Sequence, residues 1–137
     1  MVEDCIFCKI AKGELPADKV YEDDEFIVFQ ALYQVSPGHT LIVPKEHSQD
    51  ILNMKGELGL GLLKLIQKIG SSAMSALGAT GFNTGINTKV SAGQAVFHTH
   101  IHIIPRYDDD NMESWPEKET TAEDRALFAQ KMIMKLD

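Results

Sequence analysis

Arginine is scarce in this sequence of 137 residues, and cationic residues are in the minority. Only Arg106 and Arg125 are present, and Asp plus Glu outnumber Lys plus Arg by 20 to 13, which gives a formal net charge of -7. A nucleic-acid backbone requires a basic surface, and an anionic membrane attracts one, so we expect neither as a partner. A small anionic ligand is still compatible with this charge, because a few local hydrogen-bond donors suffice to bind it.

Long apolar runs are also missing, and cysteine is limited to two residues. No run of about 18 apolar residues is present, as a membrane-spanning helix would need. The first ten residues carry acids in place of the apolar segment of a signal peptide, so we expect a cytoplasmic protein. Cys5 and Cys8 form a C-x-x-C pair, which in such a compartment favours metal binding or redox chemistry over a structural disulfide.

Residue patterning predicts a single α+β domain over residues 1–137, with a C-terminal tail, 107–137, that carries a helix. One apolar face over 55–77 predicts a long helix that ends at Gly78, and Thr121 is the expected N-cap of a helix over 121–136. A short helix is predicted over 5–11. The predicted strands, which we expect to form an antiparallel sheet, are 19–22, 25–30, 40–43, 82–87 and 95–104.

Three of the five histidines, His98, His100 and His102, occupy alternate positions in a stretch that ends at Pro105. On a strand this spacing places the three imidazoles on one face, about 6.5–7 Å apart along the backbone. Core packing is a poor explanation, because each buried neutral ring needs partners for both nitrogens. The spacing alone leaves two alternatives open, a metal site or a site of nucleophilic or acid–base chemistry.

These features together resemble the zinc-bearing, Hint-like branch of the histidine triad (HIT) superfamily. The resemblance covers about residues 5–106. It implies a HIT-like α+β fold, with an antiparallel sheet of about five strands, one long helix and shorter flanking helices, and it implies a homodimer. The segments that carry it are Cys5 to Ile10, Val20 to Asp23, Pro37 to Lys45, the loop residues Asn87, Gly93 and Gln94, and the triad from His98 to Ile104.

The resemblance implies a nucleotide phosphoramidase or nucleotidyl hydrolase that acts on derivatives of purine nucleoside monophosphates such as AMP or GMP. His100 would be the nucleophile that forms a nucleotidyl-histidine intermediate, and His102 would stabilise the α-phosphate. His39 would orient a triad ring, or is simply a structural histidine. The residues expected to contact the substrate are Asn87, Gly93, Gln94 and Ala95 on the phosphate side and Leu32 on the base side, where Phe26 and Val28 are either pocket walls or core.

The same resemblance implies a metal centre beside the triad. Cys5, Cys8, His47 and His98 would form a complete Cys2His2 set, and a set without an open position is typical of structural rather than catalytic zinc. The alternatives that the residues leave open are a redox pair, for which the thioredoxin-type βαβ context is missing, and a pair of buried thiols with an exposed His47.

Two positions depart from the family pattern. Ala31 stands where the family commonly has an Asp that holds the ribose hydroxyls, and Gln30 is a candidate substitute. Ala95 stands where a hydroxyl residue often contacts the leaving group. These departures keep open a nucleotide-binding module with little turnover. Cleavage of a dinucleoside polyphosphate is a second alternative, although the C-x-x-C start favours the Hint-like branch over the dinucleoside-cleaving one. A catalytic metal site on the histidine stretch is a third.

Overall fold

The computed structural model describes residues 4–113 and 115–136. Five strands form one sheet in the order β1-β2-β3-β5-β4, and every neighbouring pair in it is antiparallel. This arrangement confirms the predicted α+β class and its five-stranded antiparallel sheet. The strands are β1 (Lys19–Glu22), β2 (Phe26–Gln30), β3 (Thr40–Pro44), β4 (Gly81–Gly85) and β5 (Ile101–Arg106).

Three α-helices accompany the sheet, α1 (Ile6–Ala11), α2 (Gly59–Leu77) and α3 (Ala122–Ile133). The long helix α2 begins later than predicted, because a 3-10 turn over Gly56–Leu58 precedes it. It ends at Gly78, whose φ of 77° is the left-handed conformation that glycine adopts most readily. The Thr121 hydroxyl accepts the Asp124 N–H and caps α3 as predicted.

The sheet buries apolar side chains on both of its faces, which explains why all five residues of β3 are buried. One face packs against α2, and α1 covers the other. The α2 face consists of Phe26, Val28, Ile42, Ile101 and Ile103 with Leu58, Leu62, Leu65 and Ile69 of the helical segment. The α1 face consists of Ile27, Phe29, Ala31, Leu41 and Val43 with Cys5, Phe7 and Cys8.

The strand that contains the histidines is shorter and begins later than predicted. It starts at Ile101 and continues through Pro105 to Arg106, so His98 and His100 lie before the strand and His102 lies within it. The reason lies in the neighbouring strand, because the Pro44 carbonyl that would extend the ladder is bound by the His98 ring at 2.7 Å. The Thr99 N–H turns instead to the Ser48 carbonyl at 2.8 Å.

Gly70 lies where α2 crosses β4, and we expect Gly70→Ala to lower the free energy of unfolding by about 1–3 kcal/mol. A Cβ at this position would overlap the ring of Phe82, which outweighs the better helix propensity of alanine. Gly59→Ala in the same helix is the matched control, since nothing lies within 4 Å of its Cβ. Urea denaturation of both variants checks this, and an unchanged or more stable Gly70→Ala protein would contradict the packing argument.

Candidate active site and metal centre

All five histidine rings of the chain lie in one row on the α1 side of the sheet. The centroid distances are 4.9 Å from His47 to His98, 5.0 Å from His100 to His102 and 5.1 Å from His102 to His39. The Phe7 ring fills the gap, with its centroid 6.0 Å from that of His98 and 5.0 Å from that of His100. The row therefore has a metal-type end, formed by His47 and His98, and an acid–base or nucleophilic end, formed by His100, His102 and His39.

The metal-type end brings together all four residues that were expected to bind zinc. The ligand atoms of Cys5, Cys8, His47 and His98 lie within 4.8 Å of one another. Individual separations are 3.2 Å from the Cys5 sulfur to His98 Nδ1, 3.3 Å from the Cys8 sulfur to His47 Nδ1, and 3.1 Å between the two Nδ1 atoms. Ligand bonds of 2.0–2.3 Å in a tetrahedron give edges of about 3.3–3.8 Å. The cluster thus has nearly the dimensions of a zinc site.

Hydrogen bonding at His98 shows that its ring is prepared as a ligand. Nε2 lies 2.7 Å from the Pro44 carbonyl, which can only accept, so Nε2 carries the proton. In the neutral ring Nδ1 then has a lone pair, and this atom faces the two sulfurs. A ligand histidine held by a carbonyl on its other nitrogen is the usual arrangement in metal sites. The donor set fits zinc.

His100 is buried, and its Nδ1 lies 2.7 Å from the His98 carbonyl. Because a carbonyl only accepts, Nδ1 must carry the ring proton, which leaves a lone pair on Nε2. Burial lowers the pKa of His100, so the ring is neutral at pH 7. A neutral imidazole with a fixed tautomer and a free Nε2 lone pair is the form that acts as a nucleophile.

A chain of hydrogen bonds assigns the proton of His102 as well. The Val35 N–H donates to His39 Nδ1 at 3.1 Å, so His39 carries its proton on Nε2. That proton faces His102 Nδ1 at 2.9 Å, and the His102 proton is consequently on Nε2. His102 Nε2 is buried and has no hydrogen-bond partner among the described residues. It is an N–H donor without an acceptor, next to the His100 ring.

Burial keeps these rings uncharged. It lowers the pKa of His102 to about 4, with a further contribution from the neighbouring His100 and His39 rings. Burial, followed by the proximity of His100, also lowers the pKa of His39. At pH 7 the hydrogen-bond chain from Val35 to His102 is therefore built from neutral imidazoles.

We expect the stability of the protein to fall as the pH drops from 6.5 towards 4. Over this range the unfolded chain binds a proton at His102 with the ordinary histidine pKa of 6.5, whereas the folded protein binds it only near pH 4. The contribution is fully present above pH 6.5, and its loss amounts to roughly 2–3 kcal/mol when the partial solvent exposure of the ring is allowed for. Urea titrations of the wild type and of His102→Asn at matched pH check this, and parallel pH profiles of the two proteins would contradict it.

The predicted phosphate-side residues lie on the segment between β4 and the triad. Asn87 is half-buried, with its Nδ2 3.5 Å from the Gly93 carbonyl, while Gly93 and Ala95 are exposed. Gln94 is buried, and its side chain binds main-chain atoms, with Oε1 on the Lys89 N–H and Nε2 on the Gln49 and Val96 carbonyls. Ala95 lines a cavity of about 470 Å³ that also borders Cys5, Ile6, His47 and Phe97.

On the base side the structure separates residues that are adjacent in sequence. Phe26 and Val28 are core residues on the α2 face, away from the histidine row, and Leu32 is 87% exposed. Gln30 shares that α2 face, where its amide binds the Thr40 hydroxyl at 2.7 Å, so it does not replace an acid at position 31. Ala31 is the residue that packs on the α1 face.

Three residues near the site were not predicted from the sequence. Phe7 lies within the C-x-x-C segment, where the two cysteines drew the interpretation. An aromatic residue between two candidate ligands could have indicated a ring packed beside the site. Asp50 and Lys89 form an ion pair at 2.8 Å. They are 39 positions apart in the chain, and no local sequence pattern indicates that they are in contact.

Comparison with known proteins decides the family. The family model described as "HIT domain" matches residues 12–109. This chain belongs to the HIT family. The crystal structure of SMU.412c from Streptococcus mutans is similar to it over 100% of this chain and 88% of its own, with 34% identity and a TM-score of 0.92.

Two other HIT proteins bear on chemistry. A zinc-bound histidine triad family protein from Mycobacterium smegmatis is 34% identical, with 96% and 97% of the two chains covered and a TM-score of 0.77. The Arabidopsis thaliana protein named adenylylsulfatase HINT3 is 39% identical over 107 residues, which are 78% of this chain and 54% of that protein. HIT family proteins are, in broad terms, nucleotide-binding hydrolases and transferases, and this HIT protein belongs to that family. Four of its residues could also bind a metal.

No helix in residues 4–113 and 115–136 is both long and apolar enough to cross a membrane.

Proposed function

We propose that this HIT protein is a nucleotide phosphoramidase or nucleotidyl hydrolase that cleaves purine nucleoside monophosphate derivatives through a nucleotidyl-histidine intermediate. The observation that carries the proposal is the tautomer pair at the end of the histidine row. His100 presents a lone pair on Nε2, and the neighbouring His102 presents an unpartnered N–H. One ring is a nucleophile and the other a donor for the oxygen on which charge develops.

The reaction has two displacements at the α-phosphorus. In the first, His100 Nε2 forms a bond to phosphorus while the bond to the leaving amine breaks, and the amine takes a proton from water. In the second, water attacks phosphorus, the bond to Nε2 breaks, and the monophosphate leaves with release of a proton. His102 Nε2–H donates to a phosphoryl oxygen in both steps, and the carbonyl of His98 keeps Nε2 of His100 free of a proton.

Five further residues complete the proposed site. Asn87 Nδ2 and the main chain of Ala95 bind the phosphate side through uncharged donors. Gly93 shapes the turn beside them, because its own N–H donates to the Val90 carbonyl at 2.9 Å. Gln94 contributes by holding this segment, since both amide hydrogens are bound to carbonyls. Leu32 is the proposed contact on the base side, and its side chain is exposed.

The proposed metal is one zinc ion held by Cys5, Cys8, His47 and His98. When bound, it would cross-link α1 to the segment before β5, since both contribute ligands. Its role is structural, because a set of four protein ligands leaves no open position for a substrate. His98 connects the metal site to the reaction centre, since its ring is a metal ligand and its carbonyl accepts a hydrogen bond from the His100 ring.

Two alternatives have support of different kinds, one from residues of this chain and one from a relative. Alanine at positions 31 and 95 removes side-chain contacts to the ribose and the leaving group, which favours a binding module with little turnover. The name adenylylsulfatase of the relative HINT3 indicates a substrate in which sulfate is the leaving group. The leaving group on the nucleoside phosphate therefore does not have to be an amine. In a dinucleoside polyphosphate, the leaving group would be a nucleoside phosphate or polyphosphate.

The deciding experiment is turnover of adenosine and guanosine 5′-phosphoramidates by the purified protein, with rapid acid quench and mass spectrometry of the chain. We expect release of the monophosphate and a transient nucleotidyl adduct on His100. Binding of AMP without adduct or product would favour the binding module. Faster cleavage of an adenylyl sulfate or a dinucleoside polyphosphate than of either phosphoramidate would replace the proposed substrate class.

A cytoplasmic homodimer is the proposed state of the protein. Strand β4 lies at one edge of the sheet, and α2 exposes Leu60, Leu63 and Met74. Every residue of α3 is exposed, including Phe128 and Met132, which leaves an apolar helix face for a second copy to cover. Light scattering coupled to size-exclusion chromatography distinguishes a dimer from a monomer of 15.2 kDa.

A further inference from the structure

Lys89 has a backbone conformation that side-chain-bearing residues rarely adopt. Its φ is 74° and its ψ is 163°, a region populated almost entirely by glycine. A non-glycine residue persists there only when the surrounding contacts over-determine it, and such residues cluster at functional sites. Lys89 lies between Asn87 and Gly93, on the segment proposed to bind the phosphate.

The main chain of Lys89 is bound from both sides within this segment. Its N–H donates to Gln94 Oε1 at 2.8 Å, and its carbonyl accepts the N–H groups of Ala92 and Gln94 at 3.2 Å. The unusual φ and ψ point the N–H and the carbonyl so that both close on the same stretch of chain. A turn from Lys89 to Gln94 results, and Gly93 lies at its end.

Gln94 transmits this turn to the rest of the site. Its side chain is 4% exposed, and Nε2 donates to the Gln49 carbonyl at 2.7 Å and to the Val96 carbonyl at 3.1 Å. Val96 precedes the triad by two residues, and Gln49 adjoins Ser48, which binds Thr99 between two of the triad histidines. The phosphate-side segment and the triad are thus connected through one amide group.

The Lys89 side chain is anchored to a buried carboxylate. Asp50 is 1% exposed, its Oδ2 lies 2.8 Å from Lys89 Nζ, and its Oδ1 accepts the Leu52 N–H at 2.9 Å. The ammonium group is the partner that lets the carboxylate stay charged in this position. The pair joins the segment after β4 to the turn at Ile51–Asn53, which is distant in sequence.

We propose that the Asp50–Lys89 ion pair is a positioning device for substrate binding, which holds Lys89 in its positive-φ backbone conformation and thereby places Asn87 and the Ala95 main chain beside the phosphate. Lys89 and Asp50 are positioning residues that act through Gln94 and the turn. The inference rests on the proposed function, because it names what fixes the phosphate-side donors of that same site.

The test uses two charge-removing variants and one that restores backbone freedom. Asp50→Asn keeps an oxygen for the Leu52 N–H. Lys89→Met keeps the Cβ and a long unbranched side chain, and Lys89→Gly lacks the ammonium but adopts the backbone without strain. We expect KM for the nucleoside phosphoramidate and Kd for AMP to rise about tenfold in the first two, with kcat within about threefold. Lys89→Gly should lose less than Lys89→Met, and the double variant of Asp50→Asn with Lys89→Met should add no further loss.

Hydrogen exchange of the amides from Asn87 to Gln94 is measured on the same proteins, as a readout that does not need turnover. Faster exchange with a raised KM or Kd supports the inference. Unchanged exchange overturns it, and faster exchange with unchanged KM and Kd reduces the pair to a stabilising contact and overturns it too. A wild type that binds AMP without turnover contradicts the proposed function alone, whereas additive losses in the double variant contradict the pairing alone.

Discussion

His100→Asn is expected to lower kcat for a nucleoside phosphoramidate by at least about 10⁴-fold, with no nucleotidyl adduct on the chain. The asparagine amide can still donate to the His98 carbonyl in place of Nδ1, so the local backbone keeps its hydrogen bond. What disappears is the Nε2 lone pair, the atom that would bond to phosphorus. Quenched-flow turnover and mass spectrometry of the intact protein measure both effects.

The matched control is His39→Asn, which changes a ring of the same row that is not expected to bond to phosphorus. It removes the partner of His102 Nδ1 and should reduce kcat far less than His100→Asn. A substantial residual rate in His100→Asn, together with a surviving adduct elsewhere, would move the nucleophile to another residue. Loss of wild-type turnover on chelation, with the protein still folded, would instead favour a catalytic metal.

Cys8→Ser is expected to abolish binding of one zinc ion per chain and to lower the free energy of unfolding by about 4 kcal/mol. The Cys8 sulfur is buried and lies 3.3–3.4 Å from Nδ1 of both candidate histidine ligands. The reason for the large effect is that one ion links α1, the segment after β3 and the segment before β5. Elemental analysis gives the zinc content, and thermal unfolding should shift by about 10 °C or more.

Lys9→Ala, one residue further along α1, is the control for local helix effects, and it should leave both zinc content and melting temperature nearly unchanged. Removal of zinc from the wild type by a chelator should reproduce the melting temperature of Cys8→Ser. If Cys8→Ser retained full zinc, the Cys2His2 set would be wrong. If it lost zinc without a change in stability, the ion would have no structural role.

The sequence was most informative where residues of one kind recur at short spacing. The C-x-x-C pair, the three alternating histidines and the apolar face of α2 each predicted a local arrangement, and the fold confirmed the sheet, the long helix and the Thr121 cap. Boundaries were less accurate. The triad strand begins at Ile101 because a histidine ring, which the strand pattern ignores, takes the Pro44 carbonyl.

Side-chain roles were harder to predict than elements. Gln30 was a candidate for the ribose, yet the two-residue period of β2 turns it to the α2 face, where Thr40 binds its amide. Phe26 and Val28 turn to that face as well. The face of a strand on which a residue lies depends on register, and register is set by pairing with strands that lie elsewhere in the chain.

By itself, the scarcity of arginine and the net charge of -7 indicated against a polyanion-binding surface, and the histidine and cysteine spacings narrowed the chemistry to a metal site or nucleophilic and acid–base catalysis. Tertiary structure decided which nitrogen of each imidazole carries a proton, because that depends on carbonyls of Pro44 and His98 and on the N–H of Val35. It also decided that Lys89 adopts a glycine-like backbone beside a buried Asp50. Such contacts form only when the fold brings distant segments together, and no local pattern encodes them.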